Sequence, residues 1–293
     1  MSDIKKAIIP IAGLGTRLLP LSKAVPKEFL PLADKSTIQY LLEEARASGI
    51  QEVVFVVSAG KQREISSYFN PSQKLEKFLQ DKKKEDILEE LNQLKELSKS
   101  ITFSFATQKE PLGDGHAVLQ AKRYLQEPCG VFFADDVVDA KTPCLTQLLE
   151  VFQTCQKPVI ALKKLPKEKL PHYGVVGVEK IASRLYKIKE IVEKPAVDSA
   201  PSDLAIVGRY VITPEVFEFL KNTPRNEKGE IILAQALKNM IQSGKTVYGY
   251  EIEGEWLECG DKLRWMKSNL YFSLHHPSYG EELRKFLKET KNL

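Results

Sequence analysis

Hydrophobic and polar positions follow two periods along this chain. Ala7–Ala12 and Glu52–Ser58 are short, nearly continuous apolar runs, and the second (EVVFVVS) is rich in β-branched residues. Both read as buried strands. Between them, Ile38, Leu41, Leu42 and Ala45 recur at helical spacing, which predicts a helix over Ser36–Ser48. Gln62–Phe69 reads as a helix stopped before Pro71. Ile101–Thr107 and Gly130–Ala134 read as strands flanking a helix near Gly115–Leu125. Alternation of this kind predicts a mostly parallel sheet with helices on both faces. The second half is richer in strands: Val159–Lys164, Gly174–Val178, Leu185–Val192, Ile206–Ile212 and Thr246–Glu253. Helices are expected at Pro214–Lys221, at Ile231–Gln242 and from Asp261 onward.

Residues 73–99 carry seven Lys and seven acids around a leucine-rich stripe, which predicts one or two amphipathic helices with solvated outer faces. Neither an internal repeat nor a low-complexity linker interrupts the chain, so a single domain over 1–293 is expected.

The 293 residues are enough for a large core. A net charge of +4 suits small anions but gives no argument for nucleic acid. No apolar run approaches the roughly 20 residues that span a bilayer, so no membrane partner is expected. Pro10 breaks the first apolar run, which fits a strand better than a signal peptide. The four cysteines show neither C-x-x-C pairing nor metal spacing, so reduced thiols and a cytoplasmic setting are expected.

The segment KKAIIPIAGLGTRLLPLSKAVPKEFLPLADK raises the question of chemistry. Gly13 and Gly15 are too close together, and no lysine follows the second, so this is not G-x-x-x-x-G-K-[ST]. Leu18 stands where a dinucleotide fingerprint needs its third glycine, and Pro20 follows at once. What remains is a strand running into a long extended loop. Its glycines let backbone N–H groups approach a ligand. Arg17 supplies a planar fork for phosphate oxygens, Lys27 a compact charge, and Pro20, Pro26 and Pro31 stiffness. A structural glycine turn with two surface cations fits the same residues.

With its neighbours, the pattern G-x-G-T-R-x-x-P followed by P-K-E-x-L-P resembles the sugar-1-phosphate nucleotidyltransferases. The resemblance runs along nearly the whole chain, through EPLGDGHAV, FFADDVV, HYGVVGVE, IVEKP and SDLAIVGRYVITPEVF. It implies a three-layer, Rossmann-like α/β fold with a mixed, mostly parallel central sheet. It places a nucleotide-binding half at about 1–140 and a sugar-binding half with C-terminal helices at about 141–293. It also implies transfer of UMP from UTP to glucose 1-phosphate with Mg²⁺, in a homodimer or homotetramer. A thymidylyltransferase on the same scaffold, or a weakly active regulatory paralogue, is the alternative.

By that resemblance Arg17 holds the β- and γ-phosphates, and Lys27 contacts the phosphate under attack. Ala12, Gly13, Gly15, Thr16, Gln108 and Gly113 complete the nucleotide site, with Gln108 reading the base. Asp135 binds the metal, Gly174 and Glu193 hold glucose hydroxyls, and Lys194 holds the sugar phosphate. Position alone leaves Asp136 and Asp139 as competing metal ligands. His116 reads as structural, and His172 as a possible part of the sugar pocket. The chain departs from the family in three places. Asp114 stands where an apolar residue is usual, GEIILAQAL replaces the pattern GEI-Q-L-T-D-A, and Glu258 replaces the aspartate of D-C-G. Glu258 is the candidate second metal carboxylate.

Overall fold

The computed structural model describes residues 4–290. Its strands are β1 (Lys6–Pro10), β2 (Pro31–Leu32), β3 (Lys35–Ser36), β4 (Glu52–Val57), β5 (Thr102–Thr107), β6 (Cys129–Phe132), β7 (Asp136–Asp139), β8 (Val159–Lys164), β9 (Gly174–Ala182), β10 (Leu185–Glu193), β11 (Leu204–Ile212), β12 (Tyr248–Glu251) and β13 (Glu255–Glu258). Its helices are α1 (Thr37–Ala47), α2 (Gln62–Phe69), α3 (Gln73–Asp81), α4 (Glu85–Ser100), α5 (Asp114–Gln120), α6 (Cys144–Cys155), α7 (Glu215–Asn222), α8 (Leu233–Gln242), α9 (Lys262–His275) and α10 (Gly280–Glu289).

Nine strands form one mixed sheet in the order β5-β4-β1-β6-β11-β8-β12-β10-β9. β5, β4, β1 and β6 run parallel. β11 is antiparallel to both β6 and β8, and β10 is antiparallel to β12 and β9. Alternation along β1 builds the three layers. Ile9 joins a core with Leu41 of α1, Ile65 of α2 and Leu148 of α6, and its neighbour Ile8 joins the opposite core with Val118 of α5, Phe217 of α7 and Leu237 of α8. Each such buried side chain contributes about 1.5–3 kcal/mol relative to exposure.

Most expected elements form. α1 starts after Ser36, whose hydroxyl accepts from Gln39 N–H at 3.3 Å. This is N-capping in place of a first helical residue. The leucine-rich segment is two helices, α3 and α4. The last three residues of the expected C-terminal helical segment, 291–293, lie outside the described residues.

The loop after β1 differs from the extended path expected of it. It folds into three short 3₁₀ turns at Thr16–Leu18, Leu21–Lys23 and Lys27–Phe29. Leu18 and Leu30 are each only 1% exposed, so the loop hangs from the core by apolar anchors as well as by prolines. A two-stranded ribbon of β7 and β13 was also not anticipated. It pairs Asp136 with Glu258 and Val138 with Trp256. A pairing across more than a hundred residues leaves no local signal in either four-residue strand.

Candidate active site

The carboxyl ends of β1, β5 and β6 open on one side of the sheet, the edge where open α/β sheets bind ligands. A cavity of about 540 Å³ lies there. Ala12, Gly13, Thr16, Arg17 and Lys27 reach it from the loop after β1, Gln108 and Gly113 from the loop after β5, and Asp135 from the end of β6. Gly174, Glu193 and Lys194 line it from the antiparallel half, and Glu258 from the end of β13. Gly15 is the exception among the candidates, because it does not line the cavity. Its φ of 64° caps the Thr16–Leu18 turn, and its carbonyl accepts from the Ser22 hydroxyl at 2.8 Å. Gly15 thus stands at the head of the turn that carries Arg17.

Lys27 Nζ lies 3.6 Å from Asp135 Oδ2. The Lys27 charge, outweighing the cost of burial and helped by Arg17, holds the Asp135 carboxyl below the ordinary carboxylate range. Its neighbours are committed elsewhere. Asp136 accepts from Trp256 Nε1 at 2.6 Å, and burial, then the Asp135 charge, push its affinity for a proton up. Asp139 lies outside the cavity and accepts from the Tyr271 hydroxyl at 2.9 Å. Asp135 and Asp136 both line the cavity, and of those two Asp135 is the one favoured as the anion.

Asp136 fits only because residue 208 is glycine. A Cβ there would lie 2.2 Å from Asp136 Oδ2. The next residue, Arg209, is fully buried and forks onto Glu44 of α1, with Nε–Oε1 at 3.0 Å and Nη2–Oε2 at 2.9 Å. Tyr210 then faces the cavity.

Gln108 is 4% exposed. Its amide nitrogen donates to the Gly113 carbonyl at 3.0 Å and lies 2.9 Å from His116 Nδ1. The other ring nitrogen of His116 meets Gln120 Nε2 at 3.1 Å. The amide nitrogen of Gln108 is thus engaged by the loop, and its carbonyl oxygen remains for a ligand. Gly113 sits at φ 97°, and a Cβ there would lie 2.5 Å from the Ile231 carbonyl, so the base loop is pressed against the start of α8.

On the sugar side, Lys194 has φ 48°, a left-handed conformation uncommon for a residue with a side chain. Its N–H donates to the Tyr173 carbonyl at 2.9 Å, which ties the end of β10 to the residue before Gly174. Glu258 spends one oxygen on the Tyr173 hydroxyl and the other on Arg264 Nη1 at 2.7 Å. Burial raises its affinity for a proton, and those two partners oppose the rise. Arg264, Trp256, Glu230 and Asp114 also line the cavity. Only Asp114 among these had drawn attention as a departure. The burial of Glu28 (1% exposed) inside the P-K-E run was equally hidden. Its Oε1 sits 3.4 Å from Lys61 Nζ, which also reaches the Gly13 carbonyl at 3.4 Å.

The donor set suits a hard divalent cation: oxygen ligands, with Asp135 ionised. Among the described residues, no group of three or more His, Cys, Asp or Glu side chains could hold a metal alone. Such an ion would take its remaining ligands from phosphate and water.

The nucleotidyl transferase family model matches residues 6–270, most of the chain. The chain belongs to that family. It is 40% identical to a UTP–glucose-1-phosphate uridylyltransferase of Staphylococcus haemolyticus over 99% of both chains. A UTP-bound UDP-glucose pyrophosphorylase from Acinetobacter baumannii superposes with a TM-score of 0.90 at 35% identity, covering 98% of this chain and all of that one. A UDP-glucose pyrophosphorylase complexed with UDP-glucose gives a TM-score of 0.82 at 33% identity, covering 92% and 98%. The nucleotidyl transferase match takes in both halves of the cavity.

Proposed function

We propose that this nucleotidyl transferase moves UMP from UTP to glucose 1-phosphate, releasing pyrophosphate. One observation carries the reading: a phosphate wall (Arg17, Lys27, Asp135) and a sugar wall (Gly174, Glu193, Lys194) meet in one cavity. The relatives act on, or are bound to, UTP and UDP-glucose by name.

In this reading a phosphate oxygen of glucose 1-phosphate attacks the α-phosphorus. A new P–O bond forms, and the bond to the β-phosphate bridging oxygen breaks. The nucleophile is already an anion near neutral pH, so no side chain has to remove a proton. The work is to bring two polyanions together and hold them in line. Arg17 takes the β- and γ-phosphates, Lys27 the α-phosphate and Lys194 the sugar phosphate. Ala12, Gly13, Gln108 and Gly113 hold the base, with Thr16 beside Arg17. Gly174 and Glu193 hold the hexose. Asp135, together with Glu258, would hold Mg²⁺, which would supply charge to offset the phosphates.

The working unit is one domain with its halves meeting near residue 140, acting in the cytoplasm as a homodimer or homotetramer. The four free cysteines support a reducing setting, and exposed Leu263, Met266 and Leu270 on α9 support self-association. Among the described residues no helix is long and apolar enough to cross a membrane. A pyrophosphate-release assay with four nucleotides against three sugar phosphates tests the activity. UTP with glucose 1-phosphate is expected to turn over fastest. Preference for dTTP would make the protein a thymidylyltransferase, and no turnover with any pair would favour the regulatory reading.

A further inference from the structure

Asp114 does more than one residue's share of work at the cavity wall. Its Oδ1 accepts from Leu233 N–H at 2.8 Å and so caps α8 from a neighbouring helix, where the N-cap residue of α8, Ile232, has no side-chain bond to give. The Gly115 N–H also favours its charge. A cap needs only an acceptor, and a neutral Asn would serve. An acid at this place is costly. It is mostly buried, with part of its surface open to the cavity, and the foremost charges acting on it are the acids Glu193 and Asp135. Even so, Asp114 lines the cavity, bonded to the start of α8 and close enough to Glu193 and Tyr210 for their charges to interact.

That end of the cavity offers acceptors and apolar surface. A carboxylate can only accept hydrogen bonds. The group it suits is rich in hydroxyl donors and has apolar ring faces, which describes a hexose and not a phosphate. We propose that Asp114 accepts a hydrogen bond from one hydroxyl of the hexose and thereby helps select the sugar. The assignment rests on the transferase reading above. A ribose hydroxyl has the same chemistry. The hexose is favoured because Glu193 is the foremost of the charges acting on Asp114 and because Ile232 and Ala234, at the start of the helix it caps, line a neighbouring hollow together with Glu193.

The test compares wild type, Asp114→Leu and Asp114→Asn with UTP and glucose 1-phosphate. It adds the 2-, 3-, 4- and 6-deoxyglucose 1-phosphates, and 2′-deoxy-UTP. Asp114→Leu is expected to lower kcat/KM for glucose 1-phosphate about 10- to 100-fold, as for loss of a charged hydrogen bond. The KM for UTP should stay unchanged. With one deoxy sugar, wild type and Asp114→Leu should become equal, while the others retain the full difference. Asp114→Asn keeps an acceptor for Leu233 and should fold at least as stably as wild type, with a smaller loss confined to the same hydroxyl. An equal loss across every deoxy sugar would reduce Asp114 to a helix cap and overturn the proposal. A loss that disappears with 2′-deoxy-UTP would move it to the ribose and also overturn it. Absence of any loss does the same. Inactive wild type would instead bring down the transferase reading itself.

Discussion

On the phosphate wall, Lys27 faces Asp135 across 3.6 Å with only 19% of its side chain exposed. On the sugar wall, the Lys194 side chain pairs, among the described residues, with its chain neighbour Glu193 at 3.4 Å, and 56% of it lies in solvent. Behind Lys27 lies a buried carboxylate, Glu28, and behind Asp135 a pinned carboxylate, Asp136. Behind Lys194 there is a backbone bond and a left-handed φ. The phosphate wall is therefore set before substrate arrives, while the sugar wall holds its backbone and leaves its cation loose. This division suits the chemistry. Groups around the reacting phosphorus must be placed to fractions of an ångström, whereas a lysine that captures a mobile dianion can complete its geometry on binding.

The sharpest way to break this contrast is at Asp135. Asp135→Asn removes the one cavity carboxylate that Lys27 keeps ionised. Turnover is expected to fall at least about 100-fold, with the far-ultraviolet spectrum and melting temperature kept. Activity that survives excess chelator, or survives in the Asn variant, would put the metal site elsewhere.

The two lysines give the next effect. Lys27→Ala is expected to lower kcat by about 30-fold or more with little change in either KM. Lys194→Ala should raise the KM for glucose 1-phosphate about 10-fold with kcat nearly kept. Steady-state kinetics on both substrates read the difference. The same defect in both variants would erase the contrast between the walls.

Gln108→Ala is expected to weaken UTP binding several-fold, on the scale of one hydrogen bond, and to blur its preference over other nucleotides. Part of the loss will come from the loop, because the Gln108 amide also holds Gly113 and His116. Competition binding with CTP separates the two causes. If affinity falls equally for both bases, Gln108 shapes the loop and does not read uracil.

The contrast also sorts what could be read from sequence. The strands Glu52–Val57 and Thr102–Thr107 carry their pattern locally, and Gly13, Arg17 and Lys27 of the glycine–arginine–lysine loop reach the cavity together. α6 was missed, although Pro143 stands at its N-cap and Pro158 follows its end. The supports, by contrast, were hidden. Nothing in P-K-E says that Glu28 is inside, and nothing in VGRYV says that Arg209 is sealed against Glu44. Their burial is decided by elements folded from distant parts of the chain. Charged residues are mostly exposed, so the ordinary expectation fails at such places. The same holds for Arg264, whose partner Glu258 was read as a metal ligand only.

Glu258 gives a smaller effect because both of its oxygens are already engaged. Glu258→Asp is expected to be tolerated and to lower the Mg²⁺ needed for half-maximal rate by up to about twofold. Glu258→Gln should raise it about threefold, since a charge is lost beside a dication. Three superimposable Mg²⁺ titrations would restrict Glu258 to holding Tyr173 and Arg264.

The smallest effect concerns stability. Burial pushes Asp114 up to about 6, from an ordinary aspartate value near ~4. The folded protein therefore binds this proton more tightly than the unfolded chain does. Its contribution to stability is fully present below about pH 4 and is lost as pH rises through about 6. Above that, the ionised carboxylate burdens the fold. Asp114→Asn keeps an acceptor for Leu233 N–H and has no charge to bury. At pH 7.5 it should be about 1 kcal/mol more stable than wild type, less than the full shift implies because the side chain is partly open to the cavity. Near pH 4 the gain should disappear. Urea unfolding at both pH values decides the point. A variant less stable than wild type at pH 7.5 would mean that the charge strengthens the cap on α8 by more than its burial costs. The acid would then be explained by the helix, without recourse to the sugar.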